Sequence, residues 1–351
     1  MKYFEEFPET TSKGIPHFKL NRPLVPLVPG DVGLELEIEG EGLPPCPTRT
    51  CPVTKARWIP HADGSLRGES VEYVLSNPAD ISSVPDMVRD IYTAFTDNGT
   101  NLRLSNRCST HVHLNVSGWK VNHLSSFLAL WSAIEPALID WCGTERKSNH
   151  FCLGIEDTQA TLESWVDFLR TGDLHFREGL KYTALNIRHL TDFGSFEVRT
   201  GRAWPEPEAC INWTKFLWAF RNFVFENFVN PLDVPDYVSH RQAEGVVREV
   251  ATLAGIPAFA DQIYLSSTDM NRRGFETFRN AQTICYSFPW DDWLPEIQKV
   301  FVVNPFEKGF REFTPPPPER VRPAAFREIQ QERRLGEVRE LERLLNQTAR
   351  G

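Results

Sequence analysis

The sequence contains no run approaching about 18 consecutive apolar residues, so no membrane-spanning helix is expected. Its first residues, Met1-Lys-Tyr-Phe-Glu-Glu-Phe-Pro8, lack the apolar run of a signal peptide, and a cytoplasmic location is expected from that. No Cys-x-x-Cys pair occurs, which argues against a zinc knuckle. The seven cysteines (Cys46, Cys51, Cys108, Cys142, Cys152, Cys210 and Cys285) are odd in number and scattered. Most are expected to be small buried hydrophobes in a reducing compartment, although Cys46 and Cys51 flank a Pro-rich loop and could approach each other. Internal repeats and a Gly-rich phosphate loop are both missing. A basic excess is missing too: the net charge of −9 argues against general nucleic-acid affinity, which needs a basic footprint.

What the chain does have is length and aromatic bulk. Its 351 residues include 24 Phe and 10 Trp, enough for one large core or two ordinary ones. Residues 1–30 read as an extended N-terminal arm, and residues 31–313 as one catalytic-size domain. Within it, Gly40 to Pro60 is a Gly/Pro/Cys loop, and Trp58 to Ser65 a strand closed by the Asp63-Gly64 turn signal. Ser70–Leu75 alternates as a strand that turns Glu72 away from Val71 and Tyr73. Apolar residues at helical spacing predict helices at about 82–98, 122–142 and 159–171, and a long aromatic helix from Glu206 to Asn230. Two strands, Tyr182–Leu190 and Ser195–Thr200, are expected to flank a hairpin turn at Thr191–Gly194. Residues 241–310 read as helical and loop-rich. Thr314–Pro318 is a stiff polyproline spacer, followed within 314–351 by an amphipathic helix marked by Leu335, Val338, Leu341, Leu344 and Leu345. That helix is expected to dock on the body, on a protein partner or on a second copy.

Three stretches share one grammar: Gly33-Leu-Glu-Leu-Glu-Ile-Glu39, Thr110-His-Val-His-Leu-Asn115 and Ser195-Phe-Glu-Val-Arg-Thr200. Each alternates with period 2, so each is a strand with two unlike faces. One face is apolar: Leu34, Leu36 and Ile38; Val112 and Leu114; Phe196 and Val198. The other carries Glu35, Glu37 and Glu39; His111 and His113; Glu197 and Arg199. Every second Cβ on a strand is roughly 6.5–7 Å apart, so the carboxylates share one side and repel. Burying them requires a compensating cation, a divalent metal or Arg. Hard carboxylate oxygens mixed with imidazole favour Mg²⁺ or Mn²⁺ beside phosphate over a closed zinc site. The expected fold is α+β: a curved antiparallel sheet with helices on one face, the open face forming the active site.

The order of motifs resembles the amidoligase family. Gly33-Leu-Glu-Leu-Glu37 is followed by Trp58…Asp63-Gly-Ser-Leu66, Glu72-Tyr-Val-Leu-Ser-Asn-Pro78, Cys108-Ser-Thr-His-Val-His113, Tyr182-Thr-Ala-Leu-Asn-Ile187 and Phe196-Glu-Val-Arg199. The resemblance spans roughly residues 31–230. It implies membership of the carboxylate–amine ligase superfamily of glutamine synthetase and glutamate–cysteine ligase, with the catalytic-domain fold of glutamine synthetase. By the same resemblance Glu35, Glu37, Glu72, His111 and Glu197 are metal ligands and His113 contacts phosphate. Arg199 neutralises the transferring phosphate, and Asn186, Arg202, Arg146 and Lys147 are candidates for nucleotide or substrate contacts. Glu37, His113 and Arg199 are the expected catalytic groups.

The implied reaction uses ATP and Mg²⁺ (or Mn²⁺) to turn a carboxylate into an acyl phosphate, which an amine converts to an amide or isopeptide. Its substrates would be a small-molecule or peptide carboxylate and an amine, with no role for a membrane and none expected for nucleic acid. Loops 40–57 and 143–158 are candidate covers against water, and the region after 230 a candidate selector of substrate. Two competing readings remain. One is a metal-dependent hydrolase or cupin-like enzyme on His111, His113 and Glu197, which wants a third His or an Asp that no clear spacing offers. The other is a non-catalytic scaffold of the same fold.

Overall fold

In the computed structural model the described residues are 30–294, apart from 46–48, 173, 175–177, 193, 287 and 292–293. The expected N-terminal arm, Cys46, the polyproline spacer and the C-terminal helix lie outside them. The described residues belong to the first of two compact units, Met1–Phe313 and Thr314–Gly351. They form a mixed α/β structure: an open, wholly antiparallel sheet and eight α-helices. No helix among them is long and apolar enough to cross a membrane.

The strands are β1 (Val32–Glu41), β2 (Trp58–His61), β3 (Ser70–Leu75), β4 (Asn101–Leu102), β5 (Ser109–Asn115), β6 (Leu185–Asn186) and β7 (Ser195–Arg202). They lie in the order β2-β3-β1-β5-β7-β6, with β4 pairing the end of β1. Period 2 does what the sequence requires of it. Leu34, Leu36, Ile38, Val112, Leu114, Phe196 and Val198 are all buried on one face. Against that face lie α2 (Val121–Cys142) and α5 (Pro207–Asn227). Phe127 of α2 stacks on Phe196 of β7 at 4.6 Å and meets Phe220 of α5 edge-on at 5.0 Å. Such aromatic contacts add to the area they bury.

The other helices are α1 (Val84–Asp97), α3 (Ala160–Thr171), α4 (His189–Asp192), α6 (Asp233–Leu253), α7 (Pro257–Ser266) and α8 (Met270–Tyr286). The last three close over α2. Pro136 inside α2 has no N–H, which frees the Ser132 carbonyl; Thr277 Oγ1 of α8 donates to it at 2.5 Å. Gly274 lets the two helices touch, since a Cβ there would meet the Ala133 carbonyl. The described part of the segment after 230 thus packs on α2.

β6 and β7 pair antiparallel as expected, but over two residues of β6 only, and the tight turn expected at Thr191–Gly194 is replaced by a longer connection. Strand pairing stops at Asn186, whose Oδ1 accepts from the Arg188 N–H in an Asx turn, and residues 189–192 coil into α4. Gly194, at φ +70°, donates to the His189 carbonyl and returns the chain to β7.

One carboxyl lies inside the helical layer. Glu135 of α2 is 3 % exposed. Its Oε1 accepts from the Trp131 indole N–H at 2.7 Å and its Oε2 from the Ile155 N–H at 2.5 Å. Burial raises its pKa, these two donors oppose the rise, and nearby Glu156 and Asp157 add to it, leaving it at about 7 against an ordinary 4.5. A raised folded-state pKa gives stability that is complete below about 4.5 and lost as pH rises through about 7, worth about 3 kcal/mol. Urea melts at pH 5 and pH 8 should show that loss in the wild type and a smaller one in Glu135→Gln. Equal pH slopes in the two proteins would sink the assignment.

Candidate active site

The open face is built by register. One row across the sheet runs Glu72, Glu37, Ser109, Arg202; the next pairs Glu35 with His111; the third runs Gly33, His113, Glu197, Asn186. Gly33 leaves the room that His113 uses, because a Cβ there would sit 3.2 Å from the His113 Cβ. The structure thus brings Glu35, Glu37, Glu72, His111, His113, Asn186, Glu197 and Arg199 together on one surface.

Two groups of donor atoms on that surface could each hold a metal ion. In each, the atoms lie within 4.8 Å of one another: Glu35, His113 and Glu197 in the first, Glu37, Asp63 and Glu72 in the second. Glu35 and Glu37 each join one group. Glu39 joins neither; it is buried and its Oε1 accepts from the Arg67 N–H at 2.8 Å.

His111 stands between the groups, 2 % exposed. Its Nδ1 faces Glu35 Oε2 at 3.0 Å and Glu197 Oε1 at 3.3 Å, and its Nε2 meets Ser109 Oγ at 2.7 Å. Ser109 also donates to Glu37 Oε2. A hydroxyl has one proton, so with that proton on Glu37 the Ser109 oxygen accepts from His111 Nε2. His113, and not His111, supplies the imidazole of the metal-compatible group.

The two groups differ in electrostatics. Burial would raise Glu35, but His113 and His111 hold it well below the carboxylate range. Burial likewise works against Glu197, and Arg199, His189 and His111 hold it low. Desolvation would lower His113; Glu35 and Glu197 lift it instead. In the first group the carboxylates and the imidazole therefore favour one another's charged forms. In the second, burial, then Glu35, Glu37 and Asp63, push Glu72 up to about 8, and burial outweighs His111 and Arg199 at Glu37, which is also raised. Three carboxyls facing one another without a cation among them fit a divalent ion, which hard oxygen donors favour.

Glu197 is the most tied carboxylate on the face. Oε2 accepts from Asn186 Nδ2 at 2.6 Å and meets His189 Nε2 at 3.2 Å; Oε1 accepts from Arg199 Nη1 at 2.5 Å. Arg199 Nε also reaches the Phe151 carbonyl at 3.3 Å.

Sequence reasoning missed Asp63, His189 and Ser109. Asp63 was legible as a turn residue and as part of the Asp63-Gly-Ser-Leu66 motif, with no ligand role, and it does cap its turn, accepting from the Ser65 N–H at 2.6 Å. Ser109 had a signal, since period 2 puts it on the face of His111. His189 had none, because its place depends on the Asx turn at Asn186. The other predicted cations pair elsewhere: Lys147 with Asp140 at 2.7 Å, and Arg202, at the end of β7, with Glu145 at 2.9 Å. Arg146 is 1 % exposed and donates to main-chain carbonyls of β7.

Fold and face together define a mixed α/β protein with an acidic, imidazole-bearing site on an open antiparallel sheet. Residues 71–217 match a family model described as "Putative amidoligase enzyme", which supports assignment to the amidoligase family, a ligase family by name. The matched stretch holds Glu72, His111, His113, Asn186, Glu197 and Arg199, while Glu35, Glu37 and Asp63 precede it. No curated protein matches the chain.

Proposed function

We propose that this protein is an ATP- and Mg²⁺-dependent carboxylate–amine ligase of glutamine synthetase type, forming an amide or isopeptide bond through an acyl phosphate. The observation that carries this is the pairing of two metal-compatible donor groups on one sheet face with a largely buried Arg beside them. That combination suits a polyphosphate, whose charge needs more than one counter-ion. Glu35, His113 and Glu197 would hold one Mg²⁺ and Glu37, Asp63 and Glu72 another; bound there, the ions supply charge neutralisation for the ATP phosphates. Arg199 would turn from Glu197 to a phosphoryl oxygen and stabilise charge as the group transfers. The substrate carboxylate takes the γ-phosphoryl group and ADP departs. The amine then attacks the acyl carbon, inorganic phosphate leaves and the amine's extra proton is lost. Asn186 and His189 keep the Glu197 carboxylate oriented throughout.

A second reading has one observation in its favour. A metal-dependent hydrolase needs a further His or Asp, and the folded chain brings His189 to Glu197 and Asp63 to Glu37 and Glu72. The family match favours the ligase. Purified protein given ATP, Mg²⁺ and pooled amino acids, polyamines and acidic peptides should release ADP and phosphate only when an amine and an acid are both present. Metal-dependent hydrolysis of the same pool without ATP consumption would select the second reading.

A further inference from the structure

We propose that Arg146 is a positioning residue that sets the place of Arg199 by clamping a β-bulge in β7. The geometric part stands alone; its consequence for turnover rests on the ligase reading.

The register carries the argument. Val112 of β5 opposes Val198 of β7, and Thr110 opposes Gly201. Two residues of β7, Arg199 and Thr200, therefore stand opposite the single residue His111, which is a bulge. A bulge disrupts the ladder, and buried carbonyls left by it must find other donors. Arg146, in the short 3₁₀ turn Thr144–Arg146, provides them: Nε donates to the Thr200 carbonyl at 3.1 Å and Nη2 to the Arg199 carbonyl at 2.5 Å. A planar fork of neighbouring N–H donors matches two successive carbonyls in a way that the single ammonium of Lys does not.

This use of an arginine is costly, which argues that it is specific. The side chain is 1 % exposed, and its Nη1 has no hydrogen-bond partner. For packing alone an apolar chain would cost less than a buried guanidinium. What the charge holds is the backbone of Arg199, whose N–H is fixed from the other side by the Ala184 carbonyl at 2.8 Å. A second link runs through the loop. The Cys152 thiol reaches the Arg146 carbonyl at 3.6 Å, and the neighbouring Phe151 carbonyl accepts from Arg199 Nε. The bulge also decides which face receives each side chain. Beyond it Arg202 takes the register position opposite Ser109, and a one-residue slip would turn side chains to the wrong face.

The test reads the Nε–H resonance of Arg199 by NMR in the full, ligand-free chain, identified by its loss in Arg199→Lys. In the wild type it should exchange slowly with water. In Arg146→Ala, exchange should quicken by about tenfold or more, as expected for loss of charge-assisted hydrogen bonds, and millimolar guanidinium should restore the slow rate. Arg146→Lys, which keeps the charge and can serve one carbonyl, should fall between and decides the matter if the Ala variant does not fold. In ATP turnover, adding Arg146→Ala to Arg199→Gln should slow the enzyme no further, because residues acting through one another are non-additive. An unchanged Arg199 resonance in the Ala or Lys variant, or multiplicative losses in the double variant, would overturn the proposal. If the wild type consumes no ATP, the ligase reading fails while the resonance still decides the role of Arg146.

Discussion

Glu37→Gln and Glu197→Gln are each expected to cut amine-dependent phosphate release from ATP by on the order of 10²- to 10³-fold, the scale of losing one preorganised electrostatic group. Both changes are nearly isosteric, so the loss tracks charge. They should nevertheless move stability in opposite directions in metal-free protein. Glu37 faces Glu72 across the β1–β3 ladder, beside Asp63. Removing its charge relieves repulsion, so the melting temperature should hold or rise. Glu197 is 1 % exposed and pairs with Arg199, itself 17 % exposed. Neutralising it strands that cation, at a cost of about 3 kcal/mol. Metal titration separates the variants further: Mn²⁺ binding should fall from two sites to one in each, with the all-carboxylate site lost in Glu37→Gln and the imidazole-bearing site lost in Glu197→Gln. Retained turnover with both sites intact would remove these residues from the site.

The contrast between the two carboxylates shows what the sequence could carry. Period 2 is a strict consequence of strand geometry, so the alternation alone sorts Leu34 and Glu35, Val112 and His113, and Phe196 and Glu197 to opposite faces. The helices at 84–97, 121–142 and 160–171 were legible for the same reason, as apolar stripes at the helical period. What stayed hidden needed three dimensions. Asp63, in the turn between β2 and β3, reaches Glu37 and Glu72 only through the pairing of β2, β3 and β1. His189 reaches Glu197 because Asn186 ends a strand early. Arg146 and Lys147 are adjacent cations in sequence with identical appeal as phosphate contacts. One is buried against carbonyls and the other, half-exposed, pairs with the buried Asp140. A bulge breaks the very period by which strands are recognised, so the reason for Arg146 could not be read from the alternation that revealed Arg199.

Arg199→Gln should tighten Mn²⁺ binding in the absence of nucleotide by about tenfold, while lowering ATP turnover by on the order of 10²-fold or more. The two effects have one cause. A carboxylate offers about four lone-pair directions. At Glu197 they face Asn186 Nδ2, His189 Nε2, Arg199 Nη1 and His111 Nδ1. A cation entering between Glu35, His113 and Glu197 must take one of these directions. Asn186 is 1 % exposed and His111 2 %, both fixed within the face. Arg199 carries a permanent positive charge, so it opposes the incoming ion strongly. A phosphate group offers Arg199 another anion, which makes its release from Glu197 and the entry of metal favour each other. Nucleotide should therefore strengthen Mn²⁺ binding in the wild type and do so far less in Arg199→Gln. Equilibrium titrations of both proteins, with and without a non-hydrolysable ATP analogue, measure this coupling directly. If Arg199→Gln instead weakens metal binding in the absence of nucleotide, the guanidinium is holding the ligand group together, and the exchange of partners at Glu197 does not occur.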